Sequence, residues 1–117
     1  MHVALSDFGE VAVPVSQEYN TDSIPTSSCL AQNYPNPFNH ATQIIYSIPS
    51  SVPITLEIYN TLGQVVRVFN PDQKQAGTYS VTWDGYNDQG YLMPSGIYIY
   101  TLTAGDFSDQ KKMLLIK

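Results

Sequence analysis

The residues best suited to chemistry in this chain of 117 residues are few and scattered. His2 and His40 are its only histidines, and neither stands near a cysteine or an acidic pair at a motif spacing. A serine–histidine–aspartate relay can be assembled on paper from His40 and any serine, but the sequence prefers none of them. Glycoside hydrolysis needs two placed carboxylates, and the candidates, Asp84 and Asp88, lie in what reads as an ordinary turn loop. The chain is therefore expected to be non-enzymatic and to need no cofactor. For a metal, the best grouping is Asp84, Asn87 and Asp88, since calcium takes oxygen ligands from such loops. Their spacing is not that of a helix–loop–helix calcium site, and Asp-Gly and Asn-Asp pairs form turns without metal. Turn formation is the favoured role. Cys29 is the single cysteine, which excludes an intrachain disulfide; a small buried or half-buried side chain is expected there, not a nucleophile.

Aromatic side chains offer a second chemistry. Tyr98 and Tyr100 alternate with Ile97 and Ile99, so one set faces a core and the other faces outward. An exposed tyrosine pair would suit a sugar or a protein surface, whereas structural tyrosines are commoner in sandwiches. Trp83 is expected between two sheets.

The elements that must position these groups are strands. Charged residues make up 13% of the chain, while nine tyrosines, eight prolines and seven glycines accompany many β-branched residues. That mixture suits tightly turned all-β domains, and no window has a capped helical period. Ile44, Tyr46 and Ile48 share one face of a strand that ends at Pro49. Ile54, Leu56 and Ile58 share a face of the next, with Thr55, Glu57 and Tyr59 opposite. Asn60 to Gly63 reads as a tight turn into a strand over 64–69. A strand over 77–83 turns Tyr79, Val81 and Trp83 one way; another runs from Ile97 to Thr103, and residues 111–117 supply the last. About seven short strands with turns roughly every ten residues describe a two-sheet antiparallel sandwich of the immunoglobulin type.

Before this regular part come short apolar patterns at Val3-Ala4-Leu5 and Val11 to Val15, with Pro14 confining the second to a sheet edge. A polar, turn-rich linker follows. The chain thus divides into 1–19, the end of a preceding domain or a docking strand; 20–29, a linker; and 30–117, the sandwich. The net charge of −5 and only five Lys or Arg exclude a nucleic-acid-binding face. No transmembrane stretch is present, and Met1 to Tyr19 lacks the pattern of a secretory leader. A protein acting outside the cell would therefore be represented here by a piece or a processed form.

Within the sandwich, Leu30-Ala31-Gln32-Asn33-Tyr34-Pro35-Asn36-Pro37-Phe38-Asn39 resembles the opening of the C-terminal sorting domains of type IX secretion in Bacteroidetes-like bacteria. The likeness continues through Ile58 to Val66, Ala76-Gly77-Thr78-Tyr79, Trp83-Asp84-Gly85, Gly90, Pro94-Ser95-Gly96-Ile97-Tyr98 and the closing Lys111 to Lys117. The Trp-Asp-Gly to Ser-Gly-Ile-Tyr section is also similar to the immunoglobulin-like domain of flagellar hook-capping proteins. His40 departs from the proline usual at its position, and Cys29 lies near a position often aromatic. The resemblance implies a non-catalytic address on a cargo protein, read by the outer-membrane type IX translocon and removed by a sortase-like peptidase within residues 20–33. It implies a secreted or outer-membrane-surface product that travels through the periplasm. It also implies recognition through Tyr34, Pro35, Asn36, Pro37, Phe38, Asn39, Gly96, Tyr98, Lys111, Lys112 and Lys117. Two other readings remain: an adhesion or filament subunit that self-associates through residues 1–19 by strand addition, and a carbohydrate-binding module using exposed tyrosines.

Overall fold

The computed structural model describes residues 13–14, 27–71 and 75–117. The pattern at Val3–Leu5, the other residues of 1–19 and the linker over 20–26 lie outside the described residues. Among the described residues every regular element is a strand: β1 (Val13–Pro14), β2 (Cys29–Leu30), β3 (Thr42–Ile48), β4 (Ile54–Tyr59), β5 (Val65–Phe69), β6 (Gly77–Trp83), β7 (Gly96–Ala104) and β8 (Phe107–Leu115). They form two antiparallel sheets in the orders β1-β6-β3-β2 and β5-β4-β7-β8. Pro14 pairs with Tyr79 at an edge, the place open to a residue with no backbone donor.

Strand alternation builds the core between the sheets. From the first sheet come Ile44, Tyr46, Ile48, Tyr79, Val81 and Trp83; from the second come Ile54, Leu56, Ile58, Tyr98, Tyr100, Leu102, Met113 and Leu115, all buried. Register places Ile44 opposite Val81, Tyr46 opposite Tyr79 and Leu56 opposite Leu102, so large side chains meet across each ladder. Full burial of one such side chain contributes about 1.5–3 kcal/mol. Trp83 lies at the centre of an aromatic row, 5.7 Å from the Phe38 ring and 5.3 Å from the Tyr98 ring.

Two tyrosines carry their hydroxyls back to the loop that precedes them. Tyr79 donates to the Gln75 carbonyl at 2.7 Å, and Tyr98 donates to the Pro94 carbonyl at 2.8 Å. In each a glycine stands two residues before the ring. A Cβ at Gly77 would lie 3.4 Å from the Tyr79 hydroxyl, so the bare backbone lets the ring fold against it.

Tyr98 and Tyr100 are buried, at 4% and 0% exposure, the structural role favoured for them, so they offer no platform to a sugar. Two expectations need correction. Cys29 is exposed, because β2 begins there and only Leu30 turns inward. The last strand runs from Phe107 to Leu115, longer at its start than 111–117, since the β7–β8 hairpin pairs Phe107 with Ala104. Its first half lies on the open side of an edge strand, where polar side chains hide the alternation.

Buried hydroxyls make stability sensitive to alkali. Burial raises the Tyr100 hydroxyl from 10.0 to about 12 and moves Tyr46 the same way. The folded chain therefore keeps protons that the unfolded chain loses above its own pKa. Stability is expected to hold up to about pH 10 and to fall between about pH 10 and 12, read from urea midpoints. Tyr100→Phe should flatten part of that slope and cost about 1–3 kcal/mol at neutral pH.

Candidate functional site

The segment that leads into β3 is organised by one buried amide. Asn33, at 2% exposure, donates from Nδ2 to the Pro35 carbonyl at 3.1 Å and to Thr42 Oγ1 at 2.9 Å. Its backbone N–H donates to the Tyr100 hydroxyl at 2.8 Å, and that hydroxyl donates to the Ala31 carbonyl at 2.7 Å. Thr42 Oγ1 completes the loop by donating to the Pro35 carbonyl. Tyr34 and Gln43 exchange backbone hydrogen bonds at 3.0 and 2.9 Å. The Tyr34–Pro35 and Asn36–Pro37 peptide bonds are both cis.

Held in this way, the lead-in meets the outer edge of β8. Phe38 N–H donates to the Leu114 carbonyl at 3.0 Å, and Ile116 N–H donates to the Phe38 carbonyl at 2.8 Å, a parallel bridge. Leu114 N–H donates to Asn36 Oδ1 at 3.0 Å, and Gln32 Nε2 donates to the Lys112 carbonyl at 2.7 Å. Lys117 N–H donates to Ser95 Oγ at 3.0 Å. Stretches far apart in sequence thus become one surface. Tyr34 projects from it at 79% exposure, Pro35, Asn36, Pro37 and Asn39 are also exposed, and Lys112 and Lys117 lie exposed on the β8 side. Phe38 and Tyr98 belong to the core, Gly96 and Lys111 are half-buried, and a partner would sense Phe38 and Tyr98 only through the shape they support.

The loop after β6 is held by a buried arginine. Arg67 on β5 donates from Nη1 to the Tyr86 carbonyl at 3.0 Å and to Asp84 Oδ1 at 3.3 Å; its Nε lies 3.3 Å from Asp88 Oδ1. The guanidinium also stacks 4.9 Å from the Phe69 ring. Asp84 accepts from Tyr86 N–H, and Asn87 Oδ1 accepts from Gln89 and Tyr91 N–H, so both shape the turns. Asp88 closes the free edge of β5: its N–H donates to the Val66 carbonyl at 3.0 Å, and its carboxylate accepts from Val68 N–H at 3.2 Å. A cleft of about 310 Å³ lies between this loop and the lead-in, lined by Asn39, His40, Asp84, Tyr86, Leu92, Leu115 and Lys117.

The sequence singled out the hexapeptide, the lysines and the acidic loop, but not Asn33, Thr42 or Arg67. For Arg67 a signal exists, a lone charge inside the apolar run Val65 to Phe69. Asn33 carries none that separates it from a solvated turn amide.

Residues 39–107, more than half of the chain, match the FlgD Ig-like domain. The chain belongs to the FlgD Ig-like domain family. FlgD from Xanthomonas campestris, described in connection with hook capping in flagellar assembly, superposes with a TM-score of 0.53 at 22% identity over 78% of this chain and 63% of that one. Latent PorU from Porphyromonas gingivalis superposes with a TM-score of 0.62 at 17% identity over 79% of this chain and 10% of PorU. PorZ, a surface component of the type IX secretion system of the same bacterium, gives 0.52 at 18% identity over 84% of this chain and 12% of PorZ. At these identities the likeness is one of fold, and the chain spans only a small part of PorU and PorZ. No curated protein sequence matches it significantly. The FlgD Ig-like match begins at Asn39 and ends at Phe107, so the stapled lead-in and nearly all of β8 lie outside it.

Two measurements test this site. Arg67 already pairs with both Asp84 and Asp88, and a dication bound there would face its guanidinium. Melting temperature is expected to be the same in calcium and in EDTA, whereas Arg67→Met should cost about 2 kcal/mol; a calcium-induced rise of several degrees would establish a metal site. In hydrogen exchange, the Leu114 and Ile116 amides should be protected. Asn36→Ala is expected to speed exchange at Leu114 by about tenfold while leaving the β3 amides unchanged.

Proposed function

We propose that this domain is a non-catalytic address for export: it sits at the end of a cargo protein and is read by a type IX outer-membrane translocon as a folded surface. The observation that carries this reading is the stapled face. Asn36 and Phe38 bind the edge of β8 through Leu114 and Ile116, so the two stretches that resemble sorting domains present themselves together. A receptor can read such a face without unfolding anything, and recognition costs less when the surface is held beforehand. The fold shared with PorU and PorZ supports the same direction. Under this reading the partners are the translocon, a sortase-like peptidase that cuts within residues 20–33, and the preceding cargo; the product reaches the cell surface or the medium through the periplasm.

A second reading is favoured by the family match itself: a hook-capping role in flagellar assembly, as described for FlgD. The readings separate in one pair of experiments. Residues 20–117 fused to an inert fluorescent reporter are expected to leave the periplasm of a host with a type IX system. Tyr34→Ala combined with Lys112→Glu and Lys117→Glu should retain the reporter while the melting temperature stays the same, because those side chains are exposed. Unchanged export by that variant would sink the surface-recognition reading. Restored hook growth, with this sandwich replacing the Ig-like domain of a hook-capping protein, would favour the second. Deleting Lys111 to Lys117 is uninformative, because it removes the buried Met113 and Leu115.

A further inference from the structure

The outer face of the β5-β4-β7-β8 sheet carries two rows of side chains set by register. One row runs Val65, Tyr59, Ile99, Lys112; the next runs Val68, Glu57, Thr101, Gln110. These residues alternate with the buried positions of their strands and so project away from the core. Between the rows and the β4–β5 turn opens a shallow groove of about 330 Å³, with Tyr59 and Ile99 on one side, Thr101 and Gln110 on the other, and Thr61 at the turn.

The walls of this groove are fixed in place. The Tyr59 hydroxyl donates to Glu57 Oε1 at 2.6 Å, which holds the ring in one orientation and raises the hydroxyl pKa. Asn60 Oδ1 accepts from the N–H groups of Leu62 and Gln64, and Asn60 Nδ2 donates to Gln64 Oε1. Gly63 closes the turn at a φ of 83°, a conformation glycine adopts freely.

We propose that this groove binds a neutral oligosaccharide. A sugar ring has apolar C–H faces and a rim of hydroxyls that both donate and accept. Tyr59 offers a flat aromatic face beside Ile99, while Thr61, Thr101 and Gln110 each supply donors and acceptors. Glu57, beside the groove, fixes the Tyr59 ring through its hydroxyl. From β4 to β8 the groove crosses two strand spacings, about 10 Å, a length that suits two or three linked sugars. Charge argues against charged polymers. The two rows hold one anion, Glu57, and one cation, Lys112, so neither a polyanion nor a polycation is favoured. The tyrosines that take part are not Tyr98 and Tyr100, which are buried, but their neighbour across the β4–β7 ladder.

The test uses the whole chain on an array of neutral and acidic oligosaccharides, followed by NMR titration with the best neutral tetrasaccharide. Binding of a neutral glycan is expected, with amide shifts concentrated at Tyr59, Thr101 and Gln110. Tyr59→Ala should weaken it by about tenfold or more, and Gln110→Ala should weaken it measurably, both at an unchanged melting temperature. Silence across the neutral glycans would overturn the proposal. So would affinity that survives both substitutions, or binding confined to acidic glycans and abolished by Lys112→Ala. Export of a reporter carrying Tyr59→Ala should be normal, so this result stands apart from the sorting reading.

Discussion

A single buried hydroxyl joins the parts of this domain that sequence keeps far apart. Tyr100, on the inner face of β7, donates to Ala31 and accepts from Asn33, so the second sheet takes hold of the segment that feeds the first. Every later feature of the lead-in follows from that grip. Asn33 is positioned to bind Pro35 and Thr42, the chain turns outward at Tyr34, and Asn36 and Phe38 arrive at the edge of β8. An unmade hydrogen bond at this depth would leave a backbone N–H and a carbonyl without water, which is why the arrangement has little freedom.

The sandwich was legible because its information is local. Period-two alternation over β3, β4, β6 and β7 set which residues face inward, and Asn60 with Gly63 announced the turn. What remained hidden depends on contacts distant in sequence. Asn33 looks like a loop amide until Tyr100 and Thr42 surround it. Arg67 breaks an apolar run, but its reason lies in Asp84, Tyr86 and Asp88 on another connection. Tyr98 and Tyr100 were rightly placed on one face, yet only the packed sheets show that this face is the inner one. Cys29 was misjudged because a two-residue edge strand has too little pattern to reveal its orientation.

The candidate site was legible in pieces rather than as an arrangement. Tyr34 to Asn39 and the closing lysines stood out by their resemblance to sorting domains, and nothing in their spacing said that they touch. The groove on the outer sheet face was less visible still. Tyr59, Thr101 and Gln110 come from three strands, and only register makes them neighbours. The family match covers β3 to β7, most of the sandwich core, and stops short of the stapled face, so much of the shared scaffold and the distinguishing surface occupy different parts of the sequence. Function on such a scaffold is carried by what is attached to it.

The parallel bridge between Phe38 and Leu115 has a mechanical meaning. Here the lead-in and the final strand run side by side in the same direction. Tension applied between the preceding segment and the chain's far end pulls the two past each other lengthwise. The bonds at Leu114 and Ile116 then bear the load together, in shear, instead of opening one after another as in a peeled hairpin. Force directed along the two strands is therefore resisted better at this bridge than force that peels them apart.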